Sequence, residues 1–172
     1  MYMNSTFIVW HIAAMLMAAV ALWSLRHELR ETPASRLEWA LPPALAVAVA
    51  GVLLFVSPGK RSELWTIAIM SGMAIGLGAG LLLKVDTDFE RKLVRVLRTW
   101  DGVAVATALL LLALARFVTS DLMGRTSGRY GVLGAIAAFL AAYLVGRVIT
   151  VRYYTAPKAI HLDMVRGVKP PN

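Results

Sequence analysis

The chain of 172 residues contains no cysteine, and charged side chains make up only 16% of it. The absence of cysteine excludes a disulfide or a thiol relay within the chain. A soluble domain carries about 25% charged residues, so this chain has too few to cover a surface that faces water. It also has no HExxH, Walker A or GxGxxG motif. We therefore expect a non-enzymatic protein.

Apolar sequence of membrane-spanning length fills the chain instead. Hydrophobic residues make up 59% of it, and a helix needs about 20 apolar residues to cross a bilayer. Five stretches are long enough, at residues 6–25, 39–57, 64–83, 102–119 and 130–149. They predict an all-α, polytopic transmembrane helical bundle of five spans with short loops, over residues 1–154. Residues 155–172 form a tail, and the first span is expected to stay as a helix.

Basic residues predict the orientation, because Lys and Arg favour the cytoplasmic side of short loops. Thirteen of the eighteen lie on the side of loops one and three and the tail, and five lie on the other side. The prediction is an N-terminus in the periplasm and a C-terminus in the cytoplasm, in a bacterial inner membrane. The net charge of +8 then indicates anionic lipid headgroups as the partner, and no nucleic acid.

Loop three, residues 84–98, is too polar to enter the membrane. Its second half is compatible with a strand or with an amphipathic helix, and periodicity does not decide between them. The acids Asp86, Asp88 and Glu90 alternate, but the glycine and the final glutamate of a calcium loop are missing. We expect no metal site there.

Local signals mark the ends of the spans. Trp23, Trp39 and Trp100 lie near span ends, where tryptophan anchors at headgroup level are expected. Pro42 and Pro43 are expected in the first turn of span two, where a missing N–H costs little.

Small residues recur at four-residue steps on two spans. This spacing lets helix backbones approach closely, and in lipid that contact drives association. It predicts either packing inside the five-helix bundle or, alternatively, a dimer seam or a groove for a flat ligand. The residues are Gly72, Gly76 and Gly80 on span three and Gly134, Ala138, Ala142 and Gly146 on span five.

Ionisable residues within spans are candidates for function. Asp101 and Arg147 are equidistant from residue 124, the centre of the hairpin formed by spans four and five. Equal depth predicts a structural ion pair between them. The alternative is that Arg147 extends to a lipid phosphate.

Arg116 lies about one turn from the end of span four. It is expected either to reach the headgroups or to hold an anionic ligand or lipid phosphate. His11 is the one histidine inside a predicted span, and Met70 of span three lies at a similar depth. The two are weak candidates for haem ligation, and no cofactor, haem or pigment, is expected.

Three blocks of the sequence resemble the CcdC-like family of five-span bacterial membrane proteins. The first is LPPALAVAVAGVLLFVSP at 41–58, and the second runs from Ser62 to Val118 with a glycine-rich span and a polar loop. The third is RYGVLGAIAAFLAAYLVGRVITVRYY at 129–154. The resemblance implies a link to cytochrome c biogenesis. Without cysteine, the chain itself would not carry reducing equivalents to an apocytochrome.

Two classes of function follow from these observations. The first is an accessory or assembly factor, or a small subunit, of a membrane redox or other bioenergetic system, with membrane-protein partners or a second copy of the chain. The second is a small-ligand or lipid binding or transport protein, with a cavity near His11 and Arg116.

Overall fold

The computed structural model describes residues 5–30, 32–55, 62–88, 93–96, 99–122 and 130–155. Helices are the main elements, and three short strands accompany them. The helices are α1 (Ser5–Ser24), α2 (Arg26–Arg30), α3 (Arg36–Phe55), α4 (Ser62–Leu82), α5 (Asp101–Leu122) and α6 (Tyr130–Thr150), which continues as a π-helical turn, Val151–Thr155. The strands are β1 (Ala34–Ser35), β2 (Val85–Asp88) and β3 (Leu93–Val96).

Five helical segments within the described residues are long and apolar enough to cross a membrane. Their bounds are Ile8–Arg30, Glu38–Phe55, Glu63–Leu82, Asp101–Thr119 and Val132–Tyr153. The predicted fold class, a helical membrane protein of five spans, is confirmed. The tail after residue 155 lies outside the described residues.

Four of the long helices form the body of the bundle. α1, α3, α5 and α6 enclose a core of small and branched side chains, among them Ala18, Val49, Leu109 and Leu144. α4 lies outside this body and packs mainly on α6. Half of the α6 span is buried, compared with 17% of the α4 span. α4 is therefore a peripheral helix attached through one face.

Glycines of α4 form that attachment. Gly72, Gly76 and Gly80 face the backbone of α6 at Phe139, Tyr143 and Arg147 respectively, in matching four-residue steps. The matching steps show that the two helices run parallel. A Cβ at Gly80 would lie only 2.7 Å from the carbonyl oxygen of Arg147. Contact this close between backbones is possible because these positions carry no side chain.

The small-residue faces of α4 and α6 thus pack against each other inside the bundle. This is the first of the two predicted alternatives. Gly146 of α6 faces α4 as well, where an added Cβ would lie 2.6 Å from the Met73 carbonyl oxygen. Gly134, Ala138 and Ala142 are buried too. With the α4 glycines already in contact with α6, a dimer seam or ligand groove along these glycines is ruled out.

A small antiparallel sheet covers one end of the bundle, which we call the sheet side. Its strand order is β1-β3-β2, so a strand from loop one pairs with a strand from loop three. Ala34 lies opposite Val94, and Val85 lies opposite Val96. Ala34, Val85 and Val96 join Trp39 and Val151 in a second apolar core beneath the sheet. The open question about loop three is answered in favour of a strand.

α3 begins earlier than the sequence predicted, and this shifts the position of its prolines. The Ser35 hydroxyl accepts a hydrogen bond from the Glu38 backbone N–H (3.3 Å), and Glu38 Oε2 accepts one from the Ser35 N–H (2.6 Å). This capping box starts the helix at Arg36. Pro42 and Pro43 therefore lie inside α3 and not in its first turn, so that prediction was wrong.

The Gly76→Ala variant should lower the thermal midpoint of the purified protein in detergent. The added methyl group would meet the Tyr143 carbonyl, and overpacking of this kind costs about 1–3 kcal/mol. Gly78→Ala is the matched control on the same helix, because nothing lies within 4 Å of a Cβ there. That variant should be neutral or slightly stabilising. Equal effects of the two variants would contradict the packing of α4 on α6.

Candidate functional site

A buried ion pair between distant parts of the chain lies at the sheet side. Arg147 of α6 donates from Nη1 to Glu28 Oε1 and from Nη2 to Glu28 Oε2, both at 2.8 Å. Both side chains are 0% exposed. The parallel, two-bond geometry is the strongest arrangement for an arginine with a carboxylate.

A second carboxylate approaches the same guanidinium from α5. Asp101 Oδ2 lies 2.8 Å from Arg147 Nε, as a close ion-pair contact without hydrogen-bond alignment. Arg147 Nη2 donates to Asp101 Oδ1 at 3.4 Å and to the Thr99 hydroxyl at 3.1 Å. The ion pair that equal depth predicts between Asp101 and Arg147 is therefore present.

Neutral donors complete the cluster. The Tyr143 hydroxyl donates to Asp101 Oδ2 at 2.9 Å, and the Thr99 hydroxyl donates to Glu28 Oε2 at 3.3 Å. Two carboxylates thus share one guanidinium and two hydroxyl donors. Burial of charge is tolerable only when such partners are present. We call Glu28, Thr99, Asp101, Tyr143 and Arg147 the ionic cluster.

A tight turn between α1 and α2 directs Glu28 into the bundle. The Leu25 N–H bonds to the carbonyls of Ala21 and Leu22, and the Glu28 N–H bonds to the Leu25 carbonyl at 3.0 Å. The α-helical hydrogen-bond pattern is interrupted at Leu25, and α2 starts at Arg26. Leu25 and Glu28, three residues apart, are both buried, while Arg26 and Arg30 are exposed. α2 is therefore a short amphipathic helix with an acid on its inner face.

Close packing encloses the cluster from two further sides. At Gly102, an added Cβ would lie 2.8 Å from Glu28 Oε2 and 3.0 Å from Arg147 Nη1. The Trp39 ring centroid is 5.9 Å from Arg147 Cζ, within cation–π range. Trp39 is only 6% exposed, so its predicted role as a membrane anchor was wrong. Trp23 and Trp100 are 66% and 60% exposed, as anchors would be.

The cluster joins three regions of the chain in one place. Glu28 comes from α2, Thr99 and Asp101 from the start of α5 and the residues just before it, and Tyr143 and Arg147 from α6. The alternative prediction that Arg147 reaches a lipid phosphate is wrong, because its guanidinium is enclosed by protein. The arrangement holds α2 and the start of α5 against α6.

The remaining candidates lie elsewhere. One prediction for Arg116 was that its side chain reaches the headgroups. That prediction is wrong, because Arg116 is only 3% exposed. His11 is 2% exposed, and its ring centroid lies 6.1 Å from that of Phe117. Met70 is 68% exposed on α4, which packs on α6, whereas α1 packs on α3 and α5. The structure does not bring His11 and Met70 together, so the pair suggested for haem ligation is wrong.

The acidic residues of loop three act within the sheet. Arg95 Nη2 donates to Asp86 Oδ2 at 2.7 Å across the β2–β3 pair. Asp88 is 3% exposed, and Glu90 lies outside the described residues. Among the residues that the structure describes, no group of three or more acids and histidines is placed to hold a metal ion.

Comparison of the chain with family models, curated proteins and solved structures gave no match. The fold and the cluster define the class by themselves: a five-span helical membrane protein whose loops are tied to α6 by buried charge.

Thr99, Tyr143 and Glu28 are members of the cluster that were not predicted from the sequence, and Glu28 is the one that carries a charge. It follows span one in a segment that is rich in charge, and such a segment ordinarily faces water. One usable signal exists: Leu25 and Glu28 are three residues apart, and Glu28 is on the same side of the membrane as Arg147. An arginine within a span needs a carboxylate at its own depth, and Glu28 meets this condition as Asp101 does.

Replacing Glu28 by glutamine should lower the free energy of unfolding by about 3–5 kcal/mol. Removal of one partner leaves the other charge buried without full compensation. The measurement is reversible unfolding in mixed detergent micelles. Asp86→Asn is the matched control, because it breaks the partly exposed pair with Arg95 and should cost at most about 1 kcal/mol. A loss of unfolding free energy in Glu28→Gln as small as that in Asp86→Asn would contradict a buried pair.

Arg147→Lys tests the geometry separately from the charge. Lysine keeps the positive charge but lacks the planar fork that bonds both oxygens of Glu28. The variant should lose about 1.5–3 kcal/mol of unfolding free energy, the usual contribution of a hydrogen bond to a charged group. The same micelle unfolding assay measures it. Full stability in Arg147→Lys would show that charge alone suffices.

Proposed function

We propose that this protein is a non-enzymatic accessory factor, or a small subunit, of a bacterial membrane redox system, and that it docks on a membrane-protein partner through α4. The observation that carries the proposal is the peripheral position of α4, whose inner face is used by α6 and whose outer face contacts no other described helix closely. The redox setting rests on the resemblance to the CcdC-like family.

The outer face of α4 has the composition of a helix-docking surface. It is a stripe along one side of the helix, opposite the glycines that face α6. Ala74 and Gly78 lie four residues apart in its middle, and small residues at this spacing admit a second helix at close range. Bulkier apolar residues flank them. The exposed stripe consists of Ile67, Met70, Ala74, Gly78 and Leu81.

The orientation belongs to the same proposal. Loops one and three share one sheet, so the described basic residues of the larger group lie at one end of the bundle. We place this end in the cytoplasm and the N-terminus in the periplasm, in the inner membrane. Docking then leaves the sheet side with its ionic cluster facing the cytoplasm.

The alternative function, ligand or lipid binding near His11 and Arg116, has less support. Both side chains are almost fully enclosed, and an open groove lies instead near Trp23 at the other end of α1. Purification in mild detergent separates the two functions. Stable membrane-protein partners favour the accessory role, and a chromophore or lipid bound to a lone chain at fixed stoichiometry favours the alternative.

The Gly78→Leu variant should abolish co-purification of the partner while the chain itself stays folded. A leucine there projects from α4 into the docking stripe, and nothing in the protein lies within 4 Å of its Cβ. Affinity purification from native membranes, followed by mass spectrometry of the eluate, measures the loss.

Gly51→Leu is the matched control for that experiment. Gly51 is an exposed glycine of α3 that also has nothing within 4 Å of an added Cβ. This variant should retain the partner. Equal retention in both variants would overturn docking through α4, and equal loss would show an effect of leucine at any exposed glycine.

A further inference from the structure

A groove opens on the surface of the bundle where α1, α2 and α5 meet at the sheet side. Its volume is about 260 Å³, and its walls are almost entirely apolar. Ala19 and Leu22 line it from α1, Leu29 from α2, and Val103 and Leu110 from α5. With a rise of about 1.5 Å per residue, Leu110 lies about 10 Å further along α5 than Val103. The groove therefore extends from the end of the span into the membrane-spanning part.

The positively charged side chain of Arg26 lies at the mouth of this groove. Arg26 and Trp23 complete the lining, and the Arg26 guanidinium carbon lies 4.4 Å from the centroid of the Trp23 ring. Both side chains are exposed. Stacking on an aromatic ring holds the plane of a guanidinium while leaving its N–H edges available to an oxyanion.

The charge at the mouth is not neutralised by the described part of the chain. No carboxylate among the described residues pairs with Arg26, and both oxygens of nearby Glu28 are bonded to Arg147. Arg30 follows Arg26 by one helical turn and is exposed as well. Two cations thus project from the outer face of α2 at the level where α1 ends. The candidate span of α1 and α2 ends at Arg30, so lipid phosphates are expected near this level.

We propose that this groove binds an anionic phospholipid, with its phosphate on Arg26 and one acyl chain along the apolar walls. The occupant follows from the two parts of the site: an apolar groove along the membrane-spanning part that fits a hydrocarbon chain, and a guanidinium that no carboxylate of the described residues pairs with. The site is distinct from the docking face on α4, so it stands whether or not the proposed function holds.

The test counts bound lipid on the purified full chain. The protein is exchanged into detergent, mixed with phosphatidylglycerol or phosphatidylcholine, and examined by native mass spectrometry. The wild-type chain should retain one phosphatidylglycerol in preference to phosphatidylcholine. Arg26→Gln should weaken phosphatidylglycerol retention about fivefold, the factor that corresponds to one arginine near an anionic surface.

Arg152→Gln is the matched control. Arg152 also stacks on an exposed ring, with its Cζ 5.5 Å from the Tyr153 centroid, but it does not line the groove. It should leave retention unchanged. Ala19→Phe tests the walls, because its ring would fill the groove and should lower retention while Arg26 is intact.

Three results would overturn the site. Equal loss in Arg26→Gln and Arg152→Gln would indicate general attraction to a basic surface. Unchanged retention in Ala19→Phe would place the acyl chain elsewhere. Equal retention of phosphatidylcholine and phosphatidylglycerol would show that the net negative charge of the lipid does not contribute to binding. Thermal midpoints without added lipid, measured for each variant, establish that every chain compared is folded.

Discussion

A guanidinium and a carboxylate that are both fully buried cannot be left unpaired, and the sheet side of this protein is organised around that constraint. Arg147 and Glu28 are 0% exposed and are joined by two hydrogen bonds. The pair requires α2 to lie against the end of α6, and this in turn requires the turn at Leu25. Asp101 and Thr99 bond to the same guanidinium, so the start of α5 is held as well. The sheet then joins the loops that contribute these groups.

A different interaction holds the bundle together within the membrane. Lipid chains are as apolar as the helix surfaces, so helix association there depends on close packing. The glycines of α4 provide it against α6, and small core residues such as Ala18 and Ala46 provide it among the other helices. This packing of the helices leaves two surfaces without protein cover in the described structure: the outer stripe of α4 and the groove beside Trp23. The proposed partner and the proposed lipid occupy these two surfaces.

The sequence was sufficient to predict the spans and part of the cluster. Apolar length identified the five helices, and equal depth in a hairpin identified Asp101 and Arg147 as neighbours. It was insufficient for Glu28, because this residue lies in a charged segment whose composition resembles an exposed loop. The strands of loop three pair mainly with each other over four residues, a length too short to carry a decisive periodic pattern. The burial of Trp39 and Arg116 depends on which faces meet, and depth along a span does not specify this.

The most direct test of the central constraint is the coupling free energy between Glu28 and Arg147. It is obtained from the unfolding of the wild-type chain, Glu28→Gln, Arg147→Met and the double variant in mixed micelles. The buried pair requires the double variant to lose less than the sum of the single losses, with a coupling of about 1.5 kcal/mol or more. Additive losses would contradict the account, because they would show that the two side chains stabilise the protein independently.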